Sequence, residues 1–579
     1  MSEYAASVKS SGVSSILKTS SIQRRLSNLK TPNKVRFQLH LSKKLRPILD
    51  NYVKELLDND ISELLREATK CISLLNTDLR LFVEAVLSIK WIHRSAHITS
   101  EYRSFLLNLL SAHNYHAKYA IDRLVSNFLP VDDDEWQDGV PSDEDCRKCI
   151  SIHSIFNILL KVIPMCQQLV LNNLRQSFPY YKKSSHTHEY YLHNLLWMLD
   201  YQPHLRSEIL NLIISKLVVL DVHAPKEDID KAEKEGLSEE TVFKMDVDEV
   251  VDSKPRLLHP IAHTLDVCMD KLFNYIIMEC HSSETSEIEW SKTKRMYQDI
   301  ISIFDKVILP TYNLHHVQFI MFLLCSFKTA LADAFLNYLW KKVCTPSTAS
   351  VIRQTAVAYI ASFIARASIV PLSMLKGTLQ QMAEWIHSYI SAQDSLQCVN
   401  TDVRVHNVFY SVCQALFYVI AFRQSDLVQT RRNIGFLNTL SLGKIVTCRL
   451  NPLRVCNPAV VQNFAAVTRT YQIAYCYSVI EHNARSVMPT VYQTEKGSSQ
   501  TTDNILDSFF PFDPYILNRS GEKITPFYLN YKNFIVESSN TSSHDLEEDD
   551  FLYEHDAKNN DYDKFSYGTS PGFRIKENG

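Results

Sequence analysis

The chain has 579 residues, a mass of 66.8 kDa and a formal net charge of −3, and only 11 residues are glycine. Dinucleotide-binding folds, P-loop enzymes and β-sandwiches use glycine for tight turns and phosphate-binding loops, so this composition disfavours all three. The 61 Lys and Arg residues are balanced by 64 Asp and Glu residues, which excludes a uniformly basic protein that coats nucleic acid.

Residues 1–46 contain ten Lys or Arg residues and one acid, with many serines and few core-forming residues. This composition predicts a disordered basic arm. The cluster over 34–46 fits a nuclear import signal and equally fits a solvated tail. Thirteen cysteines, no apolar run in the first residues and no apolar segment of about 20 residues predict a soluble protein of the cytosol or nucleus.

From residue 47 onward the apolar residues recur at steps of three and four, which is typical of amphipathic helices. Proline residues stand where several of these segments start, at Pro164, Pro203, Pro260, Pro371 and Pro458. No segment alternates in the manner of a strand, so we expect no sheet. The pattern predicts an all-α fold, a HEAT-repeat-like α-solenoid with degenerate repeats, and its helical regions are predicted over 47–131, 147–220 and 257–495.

Two acidic insertions interrupt the helical regions, at 132–146 and 221–256, and both are interpreted as surface loops. A strap is predicted over 496–531. Residues 537–563 contain ten acids and one base, so 532–579 is predicted to be an acidic disordered tail. The basic arm and the acidic tail either attract each other or hold different partners, and the sequence does not decide between the two.

The motifs that would support an enzyme are incomplete. Cys146 and Cys149 form a single CxxC without the second pair that a structural zinc needs. His188 and His193 resemble a zinc-protease motif with one residue too many, which turns the second ring about 140° away on a helix. No P-loop or nucleophile elbow is present. We expect no catalytic residue, no metal and no cofactor.

A polar, mildly basic segment precedes a helix that should start near His188. It contains Lys182, Lys183, Ser184 and Ser185. A phosphate on either serine would add about −1.5 to −2 charges and reverse the sign of this patch. The alternative is a structural role in which Ser185 or Thr187 caps the helix.

The strap contains a short aromatic stretch after the last strong helix: Phe510, Pro511, Phe512, Asp513, Pro514 and Tyr515. Its two prolines prevent a helix, so we expect an extended segment. The aromatic rings either pack back onto the helices as a C-terminal cap or anchor a partner.

Long blocks of the chain resemble the RNA polymerase I-specific transcription initiation factor family, the Rrn-three type, called transcription initiation factor IA in animals. The blocks that carry the resemblance are residues 316–327, 351–367, 450–466, 477–485 and 507–517. A weaker likeness extends from about Asp78 to about Tyr531 and leaves out the basic arm and the acidic tail.

The resemblance implies a HEAT-repeat factor of the nucleus and nucleolus without a catalytic site. It implies binding to RNA polymerase I near the stalk and dock, a link to the promoter-bound core factor, and self-association when free of polymerase. No membrane contact and no direct sequence-specific DNA binding are expected. It also implies a serine patch that weakens polymerase binding when phosphorylated, with Lys182, Lys183, Ser184 and Ser185 as part of it here. The alternative function is a HEAT-repeat nuclear transport receptor or scaffold.

Overall fold

The computed structural model of the chain describes residues 58–92, 94–132, 134–136, 139–243, 257–282, 287–395, 402–486, 506 and 510–531. The predicted basic arm and acidic tail lie outside these residues. Within them, helices make up the fold, and the extended backbone contributes only two isolated bridges, His281 with Ile288 and Ala367 with Tyr528. The prediction of an all-α, HEAT-like fold is confirmed.

The described residues form two compact units. The first runs to Ile308 and also takes in Leu517–Gly521, and the second runs from Leu309 to Ile516 and resumes at Glu522. The α-helices of the first unit are α1 Asp58–Lys70, α2 Arg80–Leu87, α3 Ala96–Ala112, α4 Ala117–Ser126, α5 Asp143–Val162, α6 Gln167–Gln176, α7 Ser185–Tyr201, α8 Arg206–Val222, α9 Lys226–Phe243, α10 Pro260–Cys280, α11 Trp290–Ile303 and, from the strap, the short Asn518–Gly521.

The α-helices of the second unit are α12 Phe319–Ser326, α13 Thr329–Cys344, α14 Ser350–Arg366, α15 Leu372–Asp394, α16 Asn407–Phe422, α17 Gln424–Val428, α18 Arg431–Thr439, α19 Leu442–Val446, α20 Pro452–Val455, α21 Pro458–Thr470 and α22 Cys476–Ser486. Every residue of α16 from Val408 to Phe422 except Ser411 is buried. Because this helix is apolar nearly all round, it is covered by α14, α15 and α21 and forms the centre of the unit.

The repeat is visible at the corners that join successive helices of the first unit. The residue after α3, α5 and α7 has nearly the same conformation each time: His113, Ile163 and Gln202 have φ between −135° and −128° and ψ between 62° and 85°. A three-residue 3₁₀-helix and then the second helix of the pair follow each corner. The unequal spacing of the three corners along the chain explains why no clean sequence period is visible.

The prolines mark helix starts, as the sequence indicates. Pro164 and Pro203 open the 3₁₀-helices at two of these corners, and Pro260 and Pro458 occupy the first turn of α10 and α21. Pro371 stands one residue earlier, as the N-cap of α15. A proline costs no hydrogen bond at these positions because the first amides of a helix have no partner within it.

Both segments interpreted as acidic loops are partly helical, and for their helical residues the prediction of a loop is wrong. Helix α5 begins at Asp143, inside the segment 132–146, with Ser142 as its N-cap. Helix α9 lies within the segment 221–256. Both helices carry acids in the first turn, where the helix dipole favours negative charge, so acid content alone did not indicate a loop.

Among the described residues, no single helix combines the length and the apolar composition of a membrane span. One adjacent pair, Asp143–Val162 and Pro164–Gln176, reaches both only when taken together, and it bends by 116° at its break.

Candidate interaction surface

The loop between α6 and α7 presents two lysines to solvent. Lys182 and Lys183 are both exposed. The ring of Tyr181 stacks on His223 with centroids 4.1 Å apart, and the Lys182 ammonium lies 5.8 Å above the Tyr181 ring. Within the described part of the chain neither lysine makes an ion pair. Both charges are therefore available to an acidic partner.

Ser184 caps helix α7. Its Oγ accepts a hydrogen bond from the backbone N–H of Thr187 at 3.2 Å and lies 2.8 Å from the Thr187 hydroxyl. The alternative expected from the sequence, a cap at Ser185 or Thr187, is wrong in its residue, because Ser184 is the N-cap. A phosphate on Ser184 would stand at a helix N-terminus, where the free amides and the helix dipole favour negative charge.

Ser185 differs from its neighbour because it is buried. Only 6% of the residue is exposed, and its Oγ donates a hydrogen bond to Oε1 of Glu135 at 2.5 Å. The same carboxylate lies 3.8 Å from Nε2 of His263 on α10. The four residues predicted as one patch thus divide into three that reach the surface, Lys182, Lys183 and Ser184, and one that belongs to the interior.

A buried, mostly aromatic cluster packs against the first turns of α7. Trp136, Cys149 and Tyr190 form its core, and Trp197 packs against it. The ammonium of Lys271 lies 4.7 Å above the Trp136 ring and 3.0 Å from a carboxylate oxygen of Glu189. Trp136 belongs to the segment predicted as an acidic loop, so its burial in this cluster packs that segment against the helices.

The same lysine also fixes the backbone beside the cluster. Lys271 donates a hydrogen bond to the carbonyl oxygen of Gly139, which has a φ of 71°. A side chain at this position would begin 3.0 Å from Oε1 of Glu189. The left-handed backbone therefore favours glycine, and a side chain here would also have to displace the Glu189 carboxylate slightly.

Burial keeps several histidines of this region neutral. Desolvation lowers the pKa of His153 to about 3 and the pKa of His193 to about 4, the latter also because of the nearby charge of Lys271. Desolvation lowers the pKa of His188 as well. These rings act as packed polar side chains at neutral pH and are not poised for proton transfer.

The two histidines of the incomplete zinc motif have different neighbours. His188 hydrogen-bonds through Nδ1 to the carbonyl oxygen of Ser184 and packs near Phe178, whereas His193 packs against Trp136 and Trp197. In the CxxC segment, Cys149 is buried against the Tyr190 hydroxyl. The residues described by the structure contain no group of three His, Cys, Asp or Glu side chains placed to hold a metal ion.

The strap inserts its aromatic rings into the second unit. Phe512 is completely buried and its ring contacts four others, those of Phe319, Phe322, Tyr359 and Phe363, with centroids 5.2 to 5.8 Å away. Its backbone N–H donates to the Ser362 hydroxyl at 2.8 Å. Phe510 stacks on Tyr418 at 4.0 Å. In this conformation neither phenylalanine is available to anchor a partner.

The remaining strap residues are less buried. Pro511 is buried and its carbonyl oxygen accepts a hydrogen bond from the Gln318 amide, while Pro514 is half-buried. The half-buried Tyr515 ring meets the edges of His316 and Phe319. Asp513 keeps 39% of its side chain exposed and lies 3.7 Å from the buried guanidinium of Arg366.

Two charged side chains that the sequence analysis did not single out hold this part of the chain in place. Arg366 packs between the rings of Phe422 and Tyr528, and its carbonyl oxygen accepts the Leu529 amide at 2.7 Å. In the first unit, Asp266 accepts the backbone amides of Arg519 and Ser520, both at 2.8 Å. The signal for Arg366 was a charge at the end of an apolar run in α14, whereas Asp266 lies on the polar side of the α10 pattern and gave no such signal.

Together these features describe a helical-repeat protein whose candidate site is a polar surface loop held on a rigid core, a class of protein that binds other macromolecules. The model of the family named RNA polymerase I specific transcription initiation factor RRN3 matches residues 17–535. The chain belongs to this family, and it is therefore an RNA polymerase I-specific transcription initiation factor by descent rather than a transport receptor.

The relatives agree with this assignment. The chain is 37% identical over 535 residues to the RNA polymerase I-specific transcription initiation factor RRN3 of Mus musculus, covering 86% of this chain and 80% of the relative. It is 25% identical over 505 residues to the Schizosaccharomyces pombe factor rrn3, covering 81% and 79%. The crystal structure of RNA polymerase I transcription initiation factor Rrn3 has the same fold, with a TM-score of 0.65 at 20% identity, over 85% of this chain and 97% of that one.

Proposed function

We propose that this chain binds RNA polymerase I, makes it competent for initiation and links it to the promoter-bound core factor on ribosomal RNA genes. The observation that carries the proposal is the family match over residues 17–535, which spans nearly all of the described helices. The chain acts without catalysis of its own, in the nucleus and specifically the nucleolus. It contacts the polymerase near the stalk and dock and self-associates when free.

The loop before α7 supplies part of the polymerase-binding surface. Lys182 and Lys183 are exposed and form no ion pair with the described residues, so they can meet carboxylates of the partner without first breaking an ion pair. Such exposed charges mainly set the rate and the partner choice of an association. Ser184 is the residue of the patch whose phosphorylation reverses the local charge, and the phosphate then repels the same acidic partner surface.

The test is capture of purified RNA polymerase I by the full-length chain and by the charge-reversed variant Lys182→Glu with Lys183→Glu. The matched control reverses two other exposed lysines of the same unit, Lys118 and Lys161. We expect the patch variant to lose about tenfold or more in affinity and the control to bind like the parent chain. Equal binding by both variants would remove the loop from the interface, while failure of the parent chain to bind would overturn the function itself.

A further inference from the structure

A strongly basic stretch of the second unit has few counter-charges of its own. Residues 402–486 contain nine Lys or Arg residues and three acids. Two of the acids are already paired: Asp426 with Arg423 at 2.6 Å and Glu481 with Arg485 at 3.7 Å. The rest of the positive charge is therefore left for something else to neutralise.

Five of these cations lie on three consecutive short helices, α18, α19 and α20, and the loop between the last two. They are Arg431, Arg432, Lys444, Arg449 and Arg454, named the basic surface here, and all five are exposed. Among the described residues none of them has an ion-pair partner. Lys444 and Arg449 line one cleft of about 700 Å³, together with a single carboxylate, Asp394.

The described chain ends in the same unit as this surface, at the opposite end of α16 from Leu450. The ring of Tyr531, the last described residue, lies 5.4 Å from the ring of Phe422 at the end of α16. Nine residues further along the chain, after the short helix α17, comes Arg431. Five of these nine residues are helical and advance about 1.5 Å each, and the other four advance at most about 3.6 Å each. Phe422 and Arg431 are therefore at most roughly 22 Å apart.

The segment that follows Tyr531 has the opposite charge. Residues 545–556, named the acidic segment here, contain seven Asp or Glu residues and no Lys or Arg. The 13 residues between Tyr531 and Asp545 allow a span of up to about 46 Å when extended, which is about twice the upper limit on the separation of Phe422 and Arg431. A segment tethered this closely has an effective concentration in the millimolar range at the surface that it can reach.

We propose that the acidic segment 545–556 docks on the basic surface of its own chain and covers it against other anionic ligands. Opposite charges attract over roughly 8 Å at physiological ionic strength, and the tether keeps the two within reach of each other. An anionic partner of the basic surface must then displace the segment first. If the segment occupies the surface in about nine molecules of ten, it lowers the apparent affinity for such a partner about tenfold.

The first experiment is zero-length carbodiimide cross-linking of the full chain, which joins a lysine amine to a carboxylate in direct contact. Equal amounts of isotopically light and heavy protein are mixed so that links within one molecule and between molecules differ in mass. We expect a link between Lys444 and a carboxylate of residues 545–556, within one molecule, that disappears in Lys444→Arg. Absence of this link, or a link only between molecules, overturns the proposal.

The second experiment measures binding of a heparin oligosaccharide as an anionic probe. Five acids are neutralised in the variant Asp545→Asn, Glu547→Gln, Glu548→Gln, Asp549→Asn and Asp550→Asn. The control makes the same change in net charge elsewhere, at Glu239, Glu240, Asp246, Asp248 and Glu249. We expect about tenfold tighter binding for the first variant beyond the control, and an equal effect of both variants contradicts the proposal.

Discussion

The hydroxyl of Ser185 donates a hydrogen bond to Oε1 of Glu135, fifty residues earlier in the chain. Glu135 lies in the segment 132–146, so this bond joins an acidic insertion to the first turn of α7. It also separates the two adjacent serines of the candidate site. Ser184 reaches the surface as a helix cap, whereas the Ser185 hydroxyl is already engaged in the interior.

The two serines therefore respond differently to a negative charge. Ser184→Asp keeps a capping oxygen at the N-terminus of α7, so we expect the free energy of unfolding to change by less than about 1 kcal/mol. Ser185→Asp places a carboxylate at a buried position beside the partly exposed carboxylate of Glu135 and is expected to cost about 1–3 kcal/mol. Denaturant unfolding of the two variants measures the difference, and equal stability would show that the buried contact is absent in solution.

The binding effect of Ser184→Asp is a separate expectation. Because this variant keeps its fold, any loss of polymerase capture comes from the charge at the surface. We expect capture to weaken severalfold and to recover in Ser184→Asn, which caps a helix equally well without the charge. Equal capture by the Asp and Asn variants would mean that this serine is not a charge switch.

Phe512 is expected to be the most costly residue of the strap to remove. Phe512→Ala deletes a completely buried ring that touches four other aromatic rings, and such a cavity costs about 3–5 kcal/mol. Tyr475→Ala in the same unit is the matched control, because 84% of that tyrosine is exposed. Thermal unfolding compares the two variants. Equal melting temperatures would contradict the packed strap.

Asp266 holds residues Arg519 and Ser520 of the strap in the first unit. Its carboxylate accepts two backbone amides and the Ser520 hydroxyl, so Asp266→Ala leaves buried donors without a partner and costs about 2–4 kcal/mol. We expect faster cleavage by trypsin after Arg519 and Lys523. Asp333→Ala, at an exposed position on α13, is the control. Unchanged cleavage at both sites would contradict this role of Asp266.

The buried histidines predict a loss of stability in mild acid. The pKa values of His153 and His193 are lowered to about 3 and about 4 in the folded chain, whereas the unfolded chain binds protons near 6.5. The unfolded state therefore gains protons first as the pH falls, and the free energy of unfolding decreases by up to about 1.4 kcal/mol per pH unit for each ring between pH 6.5 and 4.

Denaturant unfolding between pH 7 and pH 4 measures this slope. His153→Gln removes one of the two groups and should flatten the slope, whereas His204→Gln, at an exposed position, should leave it unchanged. An identical slope for His153→Gln and the parent chain would show that this ring is protonated in the folded state.

The helices and their proline starts were predictable because they depend on local patterns of apolar residues and on proline geometry. The helical parts of the acidic segments were not predictable from charge. Helices α5 and α9 combine helix-forming residues with acids in the first turn, and a count of charges alone predicts a loop for both. The buried state of Ser185 was not predictable either. It depends on Glu135, and only the packed structure brings the two together.

The roles of Arg366 and Asp266 were missed for the same reason. A charge at the end of an apolar run, as at Arg366, signals a buried partner but does not identify it, and Asp266 gave no such signal. The partners of both residues lie more than 140 residues away, in the strap. The strap itself was recognisable because its density of phenylalanine and proline requires burial without a helix. Its contacts with α12 and α14 follow only from tertiary packing.

The most direct test of the central claim is analytical sedimentation of the purified full-length chain with purified RNA polymerase I and, in parallel, with RNA polymerase II. The proposed function predicts a stable complex with RNA polymerase I alone, weakened by Lys182→Glu with Lys183→Glu. Sedimentation of the chain apart from RNA polymerase I, or equal binding to both polymerases, would contradict it.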